Sequence, residues 1–176
     1  MGAPRRNCSG RAASFAIVVK AGEKPALGMR IRHATSADIP AMKVLQDHAA
    51  TAAHWSTQQY ETALSDDAPA RVVLIIEEEA GVLGFIVGRV LGKEWEIENI
   101  AVAGTARRRG LGTRLLGEFL DLARSRAADK VFLEVRESNL AARRLYEKWA
   151  FVEGGRRKLY YREPEEDAIV YQVELA

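Results

Sequence analysis

From residue 100 to residue 112 the chain reads Ile-Ala-Val-Ala-Gly-Thr-Ala-Arg-Arg-Arg-Gly-Leu-Gly. Arg107, Arg108 and Arg109, with Gly110 and Gly112, separate an apolar strand-like stretch from an apolar helix-like stripe. Such a loop suits an anion. Glycines let the backbone approach a ligand, the first N–H groups of a helix have no internal partner, and guanidinium groups bond phosphate oxygens. The plainer alternative is a solvated basic loop with glycines at a helix start. Two familiar phosphate loops do not fit. From Gly112 a nucleoside-triphosphate loop would reach Gly117, but Glu118 stands where its Lys is needed. A dinucleotide loop would place Glu134 suitably, yet Leu115 fills its third small position, and the chain offers only one β-α-β unit.

Other residues with chemical capacity lie further along. Glu134 sits mid-strand between Leu133 and Val135, on the face it shares with Phe132 and Arg136. There it is either a proton acceptor or a surface carboxylate paired with Arg136. Tyr146 follows Ala142 by one turn and adjoins Leu145, which reads as a core-facing aromatic with a satisfied hydroxyl. Asn139 or Ser138 can cap the helix that begins beside them. Glu94, Glu96 and Glu98 alternate onto one strand face; the first two read as solvated. His33, His48 and His54 lack metal-ligand spacing, so no metal is expected.

The chain of 176 residues carries a formal charge of +2, with 48% hydrophobic and 28% charged residues. One domain is expected, able to bury roughly 70% of the unfolded surface. Collagen, low-complexity disorder and a disulfide scaffold are excluded by composition. Cys8 is the single cysteine, which points to a reducing compartment and a cytoplasmic protein. Apolar runs are far short of the ~20 residues that span a bilayer. Residues 1–28 hold Arg5, Arg6, Arg11, Lys20 and Lys24 against Glu23 alone, so the basic character is mostly a tail. That tail reads as a disordered extension, with a targeting segment as the alternative. The folded domain, residues 29–176, is nearly neutral, and neither nucleic acid nor a membrane is an expected partner.

The positioning elements follow from periodicity. Met29, Ile31 and His33 alternate as a short strand, and Ile39, Met42, Leu45 and Ala49 mark a helix. Ser56 and Gln59 form a capping-box pattern, so a second helix turns Tyr60 and Leu64 inward. Strands are predicted over 72–78 and 82–90, joined at Ala80-Gly81. In the strand over 94–102, Trp95 and Ile97 are apolar on odd positions but Ile100 and Val102 on even ones. The phase change is either a β-bulge near Glu98-Asn99 or a strand end buried on both faces. Leu111, Leu115, Leu116, Phe119, Leu122 and Ala123 form the stripe of a long helix. A strand over 130–136 and a helix over 140–148 follow. Strands over 151–161 and 168–174 close the chain around a turn at 164–167. Residues 94–136 therefore form a β-loop-α-β unit with parallel strands.

The stretch from Ile100 to Gly112 resembles the acetyl-CoA motif of the GNAT N-acetyltransferases, with Arg107, Gly110 and Gly112 at the motif positions. A narrower resemblance is to the RimI family of bacterial ribosomal-protein-alanine N-acetyltransferases. It rests on residues 133–136, Ser138-Asn139, residues 145–147, residues 157–161, residues 166–169 and His54-Trp55-Ser56. The chain departs from that family in its N-terminal extension and at Trp149-Ala150, where Leu-Gly is usual; the latter affects packing more than chemistry.

The resemblance implies an α/β (α+β) fold, a central mixed, mostly antiparallel twisted sheet of about seven strands flanked by about four helices. It implies acetyl-CoA held by Ile100, Ala101, Val102, Arg107, Arg108, Arg109, Gly110, Leu111, Gly112, Thr113, Asn139 and Tyr146. Glu134 becomes the base and Tyr146 the donor to the leaving sulfur. Backbone N–H groups near Ile100 to Val102 would face the developing oxyanion, and Trp55, Glu98, Tyr160 and Tyr161 would shape the acceptor groove. The implied acceptor is a protein N-terminus, with a ribosomal protein's alanine as leading case, and a monomer is expected.

Overall fold

A computed structural model describes residues 28–49, 51–65 and 70–175. The basic extension and Cys8 lie outside the described residues. Strands β1 (Arg30–His33), β2 (Arg71–Glu78), β3 (Gly81–Leu91), β4 (Glu94–Val102), β5 (Lys130–Arg136), β6 (Val152–Arg162) and β7 (Glu165–Glu174) make one sheet. Its order is β1-β2-β3-β4-β5-β7-β6. All neighbours run antiparallel except β4 and β5, which are parallel and joined across the long helix.

Helices α1 (Ile39–Asp47) and α2 (Thr57–Ala63) cover one face, and α3 (Leu111–Ser125) and α4 (Leu140–Lys148) cover the other. Each face has its own core. Met42, Tyr60, Ile75 and Phe85 lead the first, while Trp95, Leu115, Leu116 and Phe119 lead the second. Alternate residues of β2 and β3 feed both, as expected of a sheet covered on two sides. In α3, Leu120 is fully buried whereas the expected Leu122 is only half-buried. Two features anchor the α1–α2 layer. Asp38 receives two hydrogen bonds from Arg32, which hold its carboxyl down to about 2. The Ser56–Gln59 capping box starts α2 as the spacing predicts.

The phase change in β4 is a bulge. Val87 pairs with Asn99 and Gly88 with Ile97, so Glu98 is the extra residue. Trp95 and Ile97 consequently face the α3 core, and beyond the bulge Ile100 and Val102 face it too. The turn between β6 and β7 is tighter than predicted, occupying only Glu163-Pro164. β7 starts earlier because Glu165 and Glu166 pair with Arg162 and Tyr161 of β6, and side chains add to this: Glu166 bonds Arg136 and the Ser138 N–H, and Asp167 bonds the Leu159 N–H.

At Trp149-Ala150 the change is one of packing. The Trp149 ring lies against α3 at Gly117, where an added Cβ would come within 2.9 Å of it. Ala150 adopts φ 61, a left-handed conformation that favours glycine.

Candidate active site

The site begins where the sheet splits. β4 and β5 stay paired from Glu94↔Lys130 to Ile97↔Leu133 and no further, although β4 continues to Val102. The Ala103 N–H bonds Leu83 on β3. By the period of two, Ile100 and Val102 turn their backbone groups to the opposite, open edge. The bulge at Glu98 thus opens a notch lined by N–H and C=O groups free to bond an extended amide chain.

Next to the notch is a cavity of about 430 Å³. Ile100, Ala101, Val102, Arg107, Arg108, Gly110, Leu111, Gly112, Thr113, Asn139 and Tyr146 line it, joined by Ala49, Thr51, Ala52 and Leu145. Gly110 is the N-cap of α3 at φ 78, so no side chain caps the helix's first N–H groups. Arg108 is also left-handed, at φ 62. A Cβ on Gly112 would lie 3.3 Å from the Leu145 side chain, so bulk here narrows the cavity. Among the described residues neither Arg107 nor Arg108 is paired with a carboxylate. Arg109 departs from expectation: its guanidinium pairs with Glu78 and does not line the cavity. The first two members of the basic run line the cavity, and the third meets an acid on β2.

Two further cavities lie beyond it, the first sharing wall residues with it and the second sharing wall residues with the first. The first, about 320 Å³, is lined by Thr51, Glu98, Asn99, Glu134, Asn139, Tyr146 and Tyr161. The second, about 490 Å³, lies between the α1–α2 loop and the β6–β7 hairpin. Trp55, Glu98, Glu134, Tyr160 and Tyr161 all line it, so the structure brings the expected acceptor residues together.

Tyr146 is the hinge between compartments. It borders the first two cavities and is 4% exposed. Its hydroxyl makes no hydrogen bond among the described residues, contrary to the satisfied hydroxyl that sequence alone suggests. Burial pushes its pKa up, so the phenol keeps its proton and is able to donate a hydrogen bond.

Glu134 is partnered by Arg157, with Nε 3.0 Å from its carboxylate, rather than by Arg136. Arg136 is engaged elsewhere, with Glu166 and over the Tyr161 ring at 4.0 Å. Hydrogen bonding to Glu134 raises the Tyr160 pKa, and burial pushes Tyr161 up to about 12. Glu98 is bound by Arg71 at 2.7 and 3.2 Å, so its charge is largely matched before any ligand arrives. Asn139 caps α4 by accepting from the Ala142 N–H, and its amide also donates to Thr51 at 2.9 Å. That second bond ties α4 to the α1–α2 loop.

Sequence reasoning missed Gln46 and Thr51 and gave Asn99 no role beyond the bulge. Gln46 is 2% exposed; it donates to the Trp55 carbonyl and accepts from the Trp55 N–H and the Tyr60 hydroxyl. Asn99 donates to the Ala53 carbonyl. Together they pin the loop that walls all three cavities. Their signal was a polar residue inside an apolar stripe; Thr51 had none.

The Acetyltransferase (GNAT) family profile matches residues 39–151. The chain belongs to the GNAT acetyltransferase family. As a GNAT enzyme it is an N-acetyltransferase that uses acetyl-CoA. It is 33% identical to the [ribosomal protein bS18]-alanine N-acetyltransferase of Escherichia coli over 135 residues, 76% of this chain and 88% of that one. The corresponding protein of Haemophilus influenzae is 33% identical over 121 residues, 67% and 82% of the two chains. Among solved structures, the ribosomal-protein-S18-alanine N-acetyltransferase from Escherichia coli superimposes with a TM-score of 0.75 at 28% identity, covering 84% of this chain and 94% of that one. The GNAT assignment fits the geometry. Arg107, Arg108 and the uncapped N-terminus of α3 suit the cofactor's phosphates, and the open edge of β4 suits its amide-bearing arm. Among the described residues no group of three or more His, Cys, Asp or Glu side chains is placed to hold a metal. No described helix is long and apolar enough to cross a membrane.

Proposed function

We propose that this GNAT enzyme acetylates the free α-amine of a protein N-terminus, with the N-terminal alanine of a small-subunit ribosomal protein as the leading acceptor. The observation that carries the reading is the row of three cavities with shared walls, Tyr146 lying in the wall between the first two and Glu134 bordering the two on the acceptor side. A groove between a loop and a hairpin admits a peptide end. The names of the relatives support the acceptor.

Glu134 takes a proton from the incoming ammonium, directly or through a water, since a peptide α-amine has a pKa near 7.7–8.0 and is mostly charged below that. The N–H groups of Ile100 and Val102, aimed at the open edge, face charge that develops on the carbonyl oxygen. Tyr146 returns a proton to the departing sulfur. Asn139 holds the amide-bearing arm, and Trp55, Tyr160 and Tyr161 wall the acceptor. Among the described residues no Cys or Ser lines any of the three cavities, which supports direct transfer within a ternary complex. The lone cysteine makes the cytoplasm the compartment we propose.

The test uses the full chain, acetyl-CoA and two peptides, read by intact mass. One has a free alanine terminus and no lysine; the other has a blocked terminus and one lysine. Acetylation of the first alone is the expected result. Acetylation of the second alone, or of neither while acetyl-CoA binds, overturns the N-terminal acceptor.

A further inference from the structure

We infer that Arg157 is a placeholder cation on the carboxylate that borders the acceptor cavities, one that an incoming ammonium group must displace from Glu134. The inference rests on the reading of Glu134 as the proton acceptor.

The ion pairs around the acceptor cavity are of two kinds. Arg71 and Glu98 are joined by two hydrogen bonds, with side chains only 16% and 13% exposed. Arg136 and Glu166, at 17% and 13%, are likewise enclosed, and Arg136 also bonds the carbonyls of Glu163 and Pro164. Arg157 differs. It reaches Glu134 from the edge strand β6, its own side chain is 57% exposed, and among the described residues it meets no other carboxylate. Its guanidinium already lies over the Tyr160 ring, 5.3 Å from the centroid, a contact that does not depend on the Glu134 carboxylate.

The backbone is shaped to make this contact. Between Arg157 and Tyr161 the register with β7 breaks, and β6 holds more residues than the strand it faces. Leu159 sits at φ 51, and its N–H donates to Asp167 at 2.9 Å. This irregularity puts both Arg157 and Tyr160 at the Glu134 carboxylate; a regular strand would alternate its side chains between faces.

The consequence is chemical selection. The carboxylate that must receive the acceptor's proton is already occupied by a positive group. An exposed pair of this kind is weak, so a cationic amine exchanges one ion pair for another at little cost. A neutral group brings no charge to replace the one removed and enters less readily. Arg157 thus shields Glu134 when the groove is empty and competes with the acceptor's ammonium group for that carboxylate.

The experiment measures steady-state kinetics and acceptor binding for the full chain with the alanine-terminal peptide. Arg157→Gln is expected to lower the acceptor KM by about two- to five-fold, up to ~1 kcal/mol, while the acetyl-CoA KM stays put. Arg157→Lys, which keeps the cation, should restore the parent value. In a Glu134→Gln background the gain in peptide affinity from Arg157→Gln should vanish. An acceptor KM unchanged or raised by Arg157→Gln, or a gain that persists without Glu134, overturns the placeholder. If Glu134→Gln alone leaves turnover intact, the base assignment falls and takes the inference with it. If that variant loses turnover and Arg157→Gln changes nothing, only the inference falls.

Discussion

The two halves of this site are assembled from different kinds of sequence. The cofactor half takes most of its wall from residues 100–113 and 139–146, two short stretches that fold next to one another. Arg107 and Arg108 remain without carboxylate partners among the described residues, available for a strongly charged ligand. The acceptor half gathers Trp55, Arg71, Glu98, Glu134 and Tyr160 from separate elements, and its Arg71, Glu98 and Glu134 are already paired. The first half is prepared for one fixed ligand, whereas the second is neutralised until an acceptor rearranges it. On the function proposed above, specificity resides where charges must exchange partners, and cofactor affinity where they need not.

Four substitutions probe that division. Tyr146→Phe stands at the junction and should break transfer itself, lowering kcat by roughly 10²–10⁴-fold with acetyl-CoA affinity little changed; single-turnover mass spectrometry reads it, and parental turnover would remove Tyr146 from the mechanism. Gly112→Val crowds Leu145 in the cofactor half. Overpacking of about 1–3 kcal/mol should weaken acetyl-CoA binding by roughly 5- to 150-fold, seen by calorimetry, and unchanged affinity would separate this turn from the ligand. Gln46→Leu leaves the Trp55 N–H unpaired and removes one hydrogen bond each from the Trp55 carbonyl and the Tyr60 hydroxyl. It should cost about 1–3 kcal/mol in denaturant unfolding and raise the acceptor KM more than the acetyl-CoA KM. An equal rise in both would show that the loop does not discriminate between the halves. Ala150→Gly lies in neither half; relief of its left-handed strain should stabilise by about 0.5–1 kcal/mol, visible as a higher melting temperature, with both KM values constant.

The cofactor half was legible for a local reason. A strand, a glycine-containing turn and a helix start are read from neighbours in sequence, and the phase slip between Ile97 and Ile100 marked the bulge that the structure contains. Arg109 was the misplaced member, since its direction depends on Glu78, a residue far away in the chain. Glu134 could be proposed, but its partner could not: strand period favoured Arg136, while the β6 irregularity delivered Arg157. The Gln46 clamp on the 51–56 loop was equally hidden, because an amide inside an apolar stripe does not announce which backbone it will hold.

By itself the sequence determined the order of elements, the two faces of the central sheet and the anion-binding turn, because periodicity, capping and glycine placement act over a few residues. Tertiary structure alone decided how the loop, the hairpin and the split strands converge on Glu134 and Tyr146. Those contacts join residues separated by tens of positions, and their geometry follows from sheet order and strand register, which a local pattern does not encode.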